Sequence, residues 1–284
     1  MTHEPVPPPG IQAILDSPSY ELAERDIALL MMPELRPVRM QLELLKPEMF
    51  LAEHQVRTTI VLFGSTQIVE RSAAEERLRL AKEALAAQPD DPHLVRAVAI
   101  AERLRAKSHY YDAAREFATI VSRHGQAREG DCHYVVMTGG GPGIMEAGNR
   151  GADDIDAKSI GLNIRLPAEQ WPNAYITPEL CFRFHYFAMR KMHFLLRAKA
   201  LVAFPGGFGT LDELFDALTL RQTSRMQEIP IILFGREYWE KVVNLQFLAD
   251  EGVIHDEHLQ LVQFADTPQQ AWEMIAEFHR EHAT

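Results

Sequence analysis

Residues 200–218 read "ALVAFPGGFGTLDELFDAL". An apolar run stops at "PGGFG", and beyond it Leu211, Leu214, Phe215 and Leu218 recur at helical spacing. That order predicts a buried strand, a tight turn and a helix. The same order recurs outward from this unit. Strands are predicted in "TTIVLFGS" (58–65), "YVVMTGG" (134–140), "SIGLNI" (159–164), "IPIILFG" (229–235) and "LQLVQFA" (259–265), with helical patterns between them. Nearly continuous apolar strands alternating with helices predict a parallel sheet covered on both faces, a doubly wound, Rossmann-like α/β domain.

Two stretches stand outside the rhythm. Residues 1–55 are expected to form an N-terminal helical extension before a domain at 56–284. Residues from about 70 to 108, rich in Ala, Leu, Glu and Arg around "QPDDP", are expected to be a helical insertion in that domain.

Composition narrows the function. A chain of 284 residues with 46% hydrophobic content can bury a large core. There is no long apolar run, and "MTHEPVPPPGIQ" lacks the charged-then-apolar order of a signal peptide, so no membrane segment and a cytoplasmic location are expected. Two cysteines, Cys132 and Cys181, make no disulfide framework and read as buried thiols. The twelve histidines include neither an HExxH nor a zinc-like partner set; they read as surface residues, and no metal is expected. A net charge of −11 argues against a nucleic-acid partner. A small anion fits better, because between Glu179 and Asp212 there is no acid while Arg183, Arg190, Lys191, Arg197 and Lys199 all occur.

In a doubly wound sheet, ligands bind where strand ends feed helix starts. Three glycine turns fall there: Gly64-Ser65, the run Gly139, Gly140, Gly141, Pro142, Gly143, and the run Gly206, Gly207, Phe208, Gly209, Thr210. Bare backbone N–H groups at a helix start suit a phosphate. Other phosphate signatures are missing. Neither loop completes G-x-G-x-x-G, no Walker sequence occurs, and no G-x-S-x-G supplies a serine nucleophile. A smaller phosphate ligand and a nearby carboxylate remain, with Glu213 as the candidate. Thr210-x-x-Glu213 equally matches a helix capping box, so spacing leaves both readings of Glu213 open. On the helix before the loop, Ala188, Met192, Leu195 and Leu196 are expected to face the core.

"PGGFGTLDE", with "MRK" upstream and "GGGPGIMEAGNRGA" before that, resembles the Lonely Guy family of nucleotide phosphoribohydrolases, a family also labelled as lysine decarboxylases. The similarity runs from about Arg57 to the last helix. The added N-terminal helices and the insertion look like the longer bacterial forms, which need not act on cytokinins. The resemblance implies hydrolysis of the N-glycosidic bond of a nucleoside 5′-monophosphate such as AMP, without a cofactor. It implies Arg190 and Glu213 as the catalytic pair, and Lys191, Gly206, Gly207, Gly209 and Thr210 along the nucleotide site, with the Gly139–Gly143 loop close by. Glu179 is a further candidate for substrate binding, and at least a homodimer is implied. The alternative is a carrier of the same fold that binds a phosphorylated ligand without cleaving it. A pyridoxal-dependent decarboxylase would need a Schiff-base lysine, for which Lys191 and Lys199 are the nearest to the loops.

Overall fold

The computed structural model describes residues 8, 10–126, 130, 132–165 and 171–282. Its strands are β1 (Thr59–Phe63), β2 (Val135–Thr138), β3 (Ser159–Ile164), β4 (Cys181–Phe184), β5 (Ala198–Ala203), β6 (Ile231–Phe234) and β7 (Gln263–Ala265). They form one sheet in the order β4-β3-β2-β1-β5-β6-β7, with every neighbouring pair parallel. The fold is therefore the expected doubly wound α/β sheet.

The helices are α1 (Gln12–Leu15), α2 (Ile27–Leu30), α3 (Arg36–Glu53), α4 (Arg71–Ala87), α5 (Pro92–Ala106), α6 (His109–Gly125), α7 (Ile144–Asp153), α8 (Phe187–Leu196), α9 (Phe208–Gln222), α10 (Arg236–Val242), α11 (Leu245–Asp250) and α12 (Pro268–Glu281). The chain divides into two compact units, Met1–Lys46 and Pro47–Thr284. In the first, the Asp26 carboxylate caps α2 by accepting the Leu29 N–H at 2.8 Å, and Arg39 donates to the carbonyls of Leu30 and Met32. In the second, "QPDDP" separates α4 from α5 because Asp91 accepts the His93 N–H at 2.7 Å and Pro92 opens the new helix.

β1 is central, and its side chains alternate between two cores. Val61 and Phe63 join Met137, Leu201 and Ala203 on the face covered by Phe194 of α8, Leu214 and Ala217 of α9, and Trp239 of α10. Ile60 and Leu62 join Val136, Ala200 and Val202 on the face covered by Tyr111 and Phe117 of α6, Ile144 of α7, and Trp272 and Ile275 of α12. Each Val, Leu, Ile, Phe or Met side chain among these contributes about 1.5–3 kcal/mol by leaving water. Burial on both faces is why these strands read as unbroken apolar runs.

From β1 the chain winds outward through β2 and β3 to β4, then returns to place β5 on the other side of β1. The connections after β1 and β5 lead to helices on opposite faces of the sheet, α6 and α9, which makes this the switch point.

Several expectations need correction. β4 is not among the expected strands, because Cys181–Phe184 is an edge strand whose residues alternate between buried and more exposed and so lacks a continuous apolar run. In "LQLVQFA" only Gln263–Ala265 is strand, since Asp256–Leu261 coils as a 3₁₀ helix. The core face of α8 is Arg190, His193 and Phe194, whereas Ala188 and Leu196 are exposed and Met192 and Leu195 are half-buried. His193 is thus a buried histidine, 2% exposed, and not a surface one. On α9 the buried residues are Thr210, Leu214 and Ala217, with Phe215 turned outward. Cys132 is buried and Cys181 half-buried, both as free thiols.

Candidate functional site

A cleft of about 430 Å³ opens beyond the carboxyl ends of β1, β2, β3 and β5. Its walls come from Phe63–Gln67 after β1, Gly139, Gly141 and Met145 after β2, Asn163 and Ile164 ending β3, Phe187 and Arg190 of α8, and Gly207–Thr210, Asp212 and Glu213 of α9. A larger groove of about 730 Å³ lies on α8 and α9, lined by Ala188, Met192, Leu195, Leu196, Leu220 and Met226 among others. It contains the residues once expected in the core. The smaller cleft is the candidate site because the glycine loops and the buried charged pair converge on it.

The loops are braced from behind. Pro205 accepts the Ser65 N–H at 3.0 Å, and Ser65 in turn accepts the Ile144 N–H at 3.0 Å, so the loops after β1, β2 and β5 hold one another. Tyr238 donates to the Gly206 carbonyl at 2.6 Å, and Trp239 Nε1 donates to Ala203 O at 3.0 Å. Asn149 accepts from Thr138 Oγ1 at 2.7 Å, and Thr138 Oγ1 accepts the Gly140 N–H at 3.0 Å.

The glycines divide into two kinds. At Gly143, with φ +72°, a Cβ would lie 2.5 Å from Ser65 O, so the fold itself requires glycine. At Gly207 a Cβ would meet nothing within 4 Å, and at Gly209 only Glu213 Oε2 at 4.0 Å. Neither has a positive φ. The fold does not need glycine at 207 or 209; both line the cleft at the start of α9, where bare N–H groups suit an anion.

Gly207 is the N-cap residue of α9, and no side chain caps the helix. Thr210 is therefore the third helical residue, and the capping-box reading fails because the helix begins three residues before that box requires. Glu213 instead accepts from Arg190 Nη1 at 3.2 Å, with both side chains 11% exposed. Arg190 Nε donates to Leu162 O at 2.7 Å, and its guanidinium lies 5.0 Å from the Phe194 ring centroid. A Cβ on Gly139 would lie 2.7 Å from Arg190 Nη2, so the loop is bare where the guanidinium passes.

Burial raises the Glu213 pKa from 4.5 to about 6, and Arg190 only partly opposes the shift. Burial also pulls the Arg190 guanidinium down against the attraction of Glu213 and Asp212. Both directions say that desolvation outweighs the pair's own attraction. The result is a carboxylate still mostly ionised at neutral pH, yet poised to exchange a proton.

A stability prediction follows from the sign of that shift. A raised folded pKa gives stability that is complete below pH 4.5 and lost as pH rises through about 6. The shift corresponds to about 2 kcal/mol. Glu213→Gln carries no such titration, so its melting temperature should gain on the wild type by several degrees between pH 5 and pH 8. A difference that stays flat in calorimetry at the two pH values would contradict a buried, desolvated carboxylate.

Of the residues expected at the site, Gly64, Ser65, Gly139, Gly141, Arg190, Gly207, Gly209, Thr210 and Glu213 line the cleft together. Gly140, Gly143 and Gly206 belong to the same loops but not to the lining. Lys191 lines the α8–α9 groove and donates to Asp212 Oδ1 at 2.7 Å. Glu179 sits in the turn Pro178–Leu180 that precedes β4, at the amino end of the sheet and away from the cleft. Arg197 is tied to Glu48 by a 2.6 Å ion pair. Glu146 accepts from Tyr111 at 2.8 Å. Thr66, Gln67, Met145, Asn163, Ile164 and Phe187 line the cleft without having been singled out. Position was their one signal in sequence: Thr66 and Gln67 follow a predicted strand, Asn163 and Ile164 end one, and Met145 and Phe187 stand at the start of helical patterns. Among the described residues no group of His, Cys, Asp and Glu gathers in a way that could hold a metal ion, and no helix is long and apolar enough to cross a membrane.

The fold and the cleft define a Rossmann-like α/β protein with its candidate ligand site at the switch point. Residues 145–275 match the family described as "Possible lysine decarboxylase", a label shared with the family that the glycine motifs resemble. No curated relative matches the sequence. Among solved structures, the molybdenum cofactor binding protein from Rippkaea orientalis is similar at 19% identity and TM-score 0.43, covering 60% of this chain and 87% of that one. The Moco carrier protein from Chlamydomonas reinhardtii is similar at 18% identity and TM-score 0.43, covering 61% and 89%.

Proposed function

We propose that the protein hydrolyses the N-glycosidic bond of a nucleoside 5′-monophosphate, releasing the base and ribose 5-phosphate. The observation that carries the reading is the buried Arg190–Glu213 pair in a cleft with a bare glycine turn at its α9 end. The phosphate lies against the N–H groups of 207–210. Glu213, ionised, faces the anomeric carbon, stabilises the oxocarbenium-like state and orients the attacking water. As the C1′–N bond breaks, its electron pair leaves with the base, water adds to C1′, and the proton released from water ends on the base. Arg190 holds the departing or anionic group through its planar fork.

The decarboxylase reading has little support. Among the described residues lining the cleft there is no lysine, Lys191 is paired with Asp212, and Lys199 donates to Gln227 at 3.2 Å.

The test is a panel of nucleoside monophosphates scored for free base. AMP should be cleaved, and adenosine far more slowly, because phosphate binding energy is used to orient the reacting bond. Equal rates on AMP and adenosine would remove the phosphate's role. Tight binding of AMP with no base released would favour the carrier alternative. Light scattering on the purified chain checks the dimer that the family resemblance implies; a monomer would refute it.

A further inference from the structure

The cleft has two unlike ends. At one, the α9 turn offers backbone N–H groups; at the other, β3 ends in Asn163 and Ile164, flanked by Met145 and Phe187. From β5 to β3 is three strand spacings, about 14 Å. Arg190 marks the middle, since it donates to Leu162 O on β3 and to Glu213 on α9. A nucleotide with its phosphate on α9 and its reacting bond over this pair must direct its base toward β3.

We propose that the β3 end is the base pocket and that the Asn163 amide is the specificity-determining group, reading the edge of a purine. This rests on the hydrolase reading for the direction in which the ligand lies. Three apolar side chains give the pocket flat or deformable walls: Met145, Ile164 and Phe187, the last 51% exposed beside the cleft. A base stacks on such surfaces irrespective of its identity. Discrimination needs a polar group among them, and Asn163 supplies it. Its Nδ2 lies 3.4 Å from Gly140 O, longer than a normal N–H···O hydrogen bond, and its Oδ1 accepts only from the weak thiol donor Cys181 Sγ, at 3.5 Å. An amide held this loosely keeps donor and acceptor capacity toward a ligand. A donor beside an acceptor is the complement of the adenine amino edge, which an asparagine pairs bidentately.

The position also explains why the residue beneath is bare. Gly140 has φ +73°, which already favours glycine, and a Cβ there would also lie 2.1 Å from Asn163 Oδ1, so the bare backbone leaves the amide its place at the cleft.

The test compares Asn163→Ala with its parent in a Glu213→Gln background, so that AMP is not consumed, with AMP and ribose 5-phosphate titrated by calorimetry. AMP should bind on the order of tenfold or more weakly, and ribose 5-phosphate should bind as before. Phe187→Ala, at a half-exposed side chain, should reproduce that pattern without lowering the melting temperature. Equal weakening of both ligands by Asn163→Ala would make the residue a brace for Gly140 and overturn the proposal. So would unchanged AMP affinity in both variants, or binding of neither ligand by the parent. Base-selective binding by a wild type that never releases base would sink the hydrolase and leave the pocket standing.

Discussion

Glu213→Gln should lose on the order of a hundredfold or more in base release from AMP, while still folding and binding the nucleotide. The two proposed duties of Glu213 both need its charge, since an amide neither stabilises an oxocarbenium ion nor takes a proton from water. The geometry sharpens this expectation. Were Glu213 a helix cap, Gln would be an adequate replacement and the loss would be small. The helix starts at Phe208 behind an N-cap of Gly207, so that role does not exist. Gln can still accept from Arg190 Nη1, which keeps the cleft's shape. The wild type should show the same requirement through pH: with a pKa of about 6, the ionised form disappears below that value, and kcat/KM should fall about tenfold per pH unit there. Full activity in Glu213→Gln, or an acid limb unrelated to pH 6, would send the search for the carboxylate elsewhere.

The sheet was legible because β1, β2, β3, β5 and β6 are buried on both faces, so pattern and structure coincide. β4 was not, because an edge strand shows alternation over only four residues. The site was legible where chemistry is written in backbone. Gly207 and Gly209 have no packing reason to be glycine, and this is why "PGGFG" reads as a ligand loop. It was illegible where the helix phase decides. Ala188, Met192, Leu195 and Leu196 looked like a core stripe, but the stripe that enters the protein is Arg190, His193 and Phe194. A guanidinium and an imidazole occupy the buried face, where apolar groups would be expected, because Leu162 O and Glu213 satisfy the one and Glu48 lies 3.6 Å from the other. Lys191, next to Arg190 in sequence, consequently lines the α8–α9 groove and reaches the cleft only through its pair with Asp212, and Glu179 precedes β4 at the amino end of the sheet.

Arg190 should be nearly as sensitive as Glu213. Arg190→Ala is expected to lose on the order of a hundredfold or more in turnover on AMP, and Arg190→Lys to recover little of it. The reason is the number of directions served at once. Nε reaches Leu162 O at 2.7 Å, Nη1 reaches Glu213 at 3.2 Å, and Nη2 passes Gly139. A lysine ammonium is a single point on a flexible stem and cannot hold these fixed positions together. The two variants should differ in their pH profiles. Arg190 lowers the Glu213 pKa against burial, so removing the cation lets the carboxyl rise above about 6 and protonate near neutral pH, while lysine preserves part of the restraint. Arg190→Ala should therefore show its acid limb moved toward alkaline pH, with partial recovery of rate when the assay is made more alkaline. The fold should survive, because Glu213 takes up a proton and does not stay charged and unpaired in the cleft. Near-full activity in Arg190→Lys would reduce the residue to one charge in a general positive field. An unmoved acid limb in Arg190→Ala would show that the two side chains touch without controlling each other.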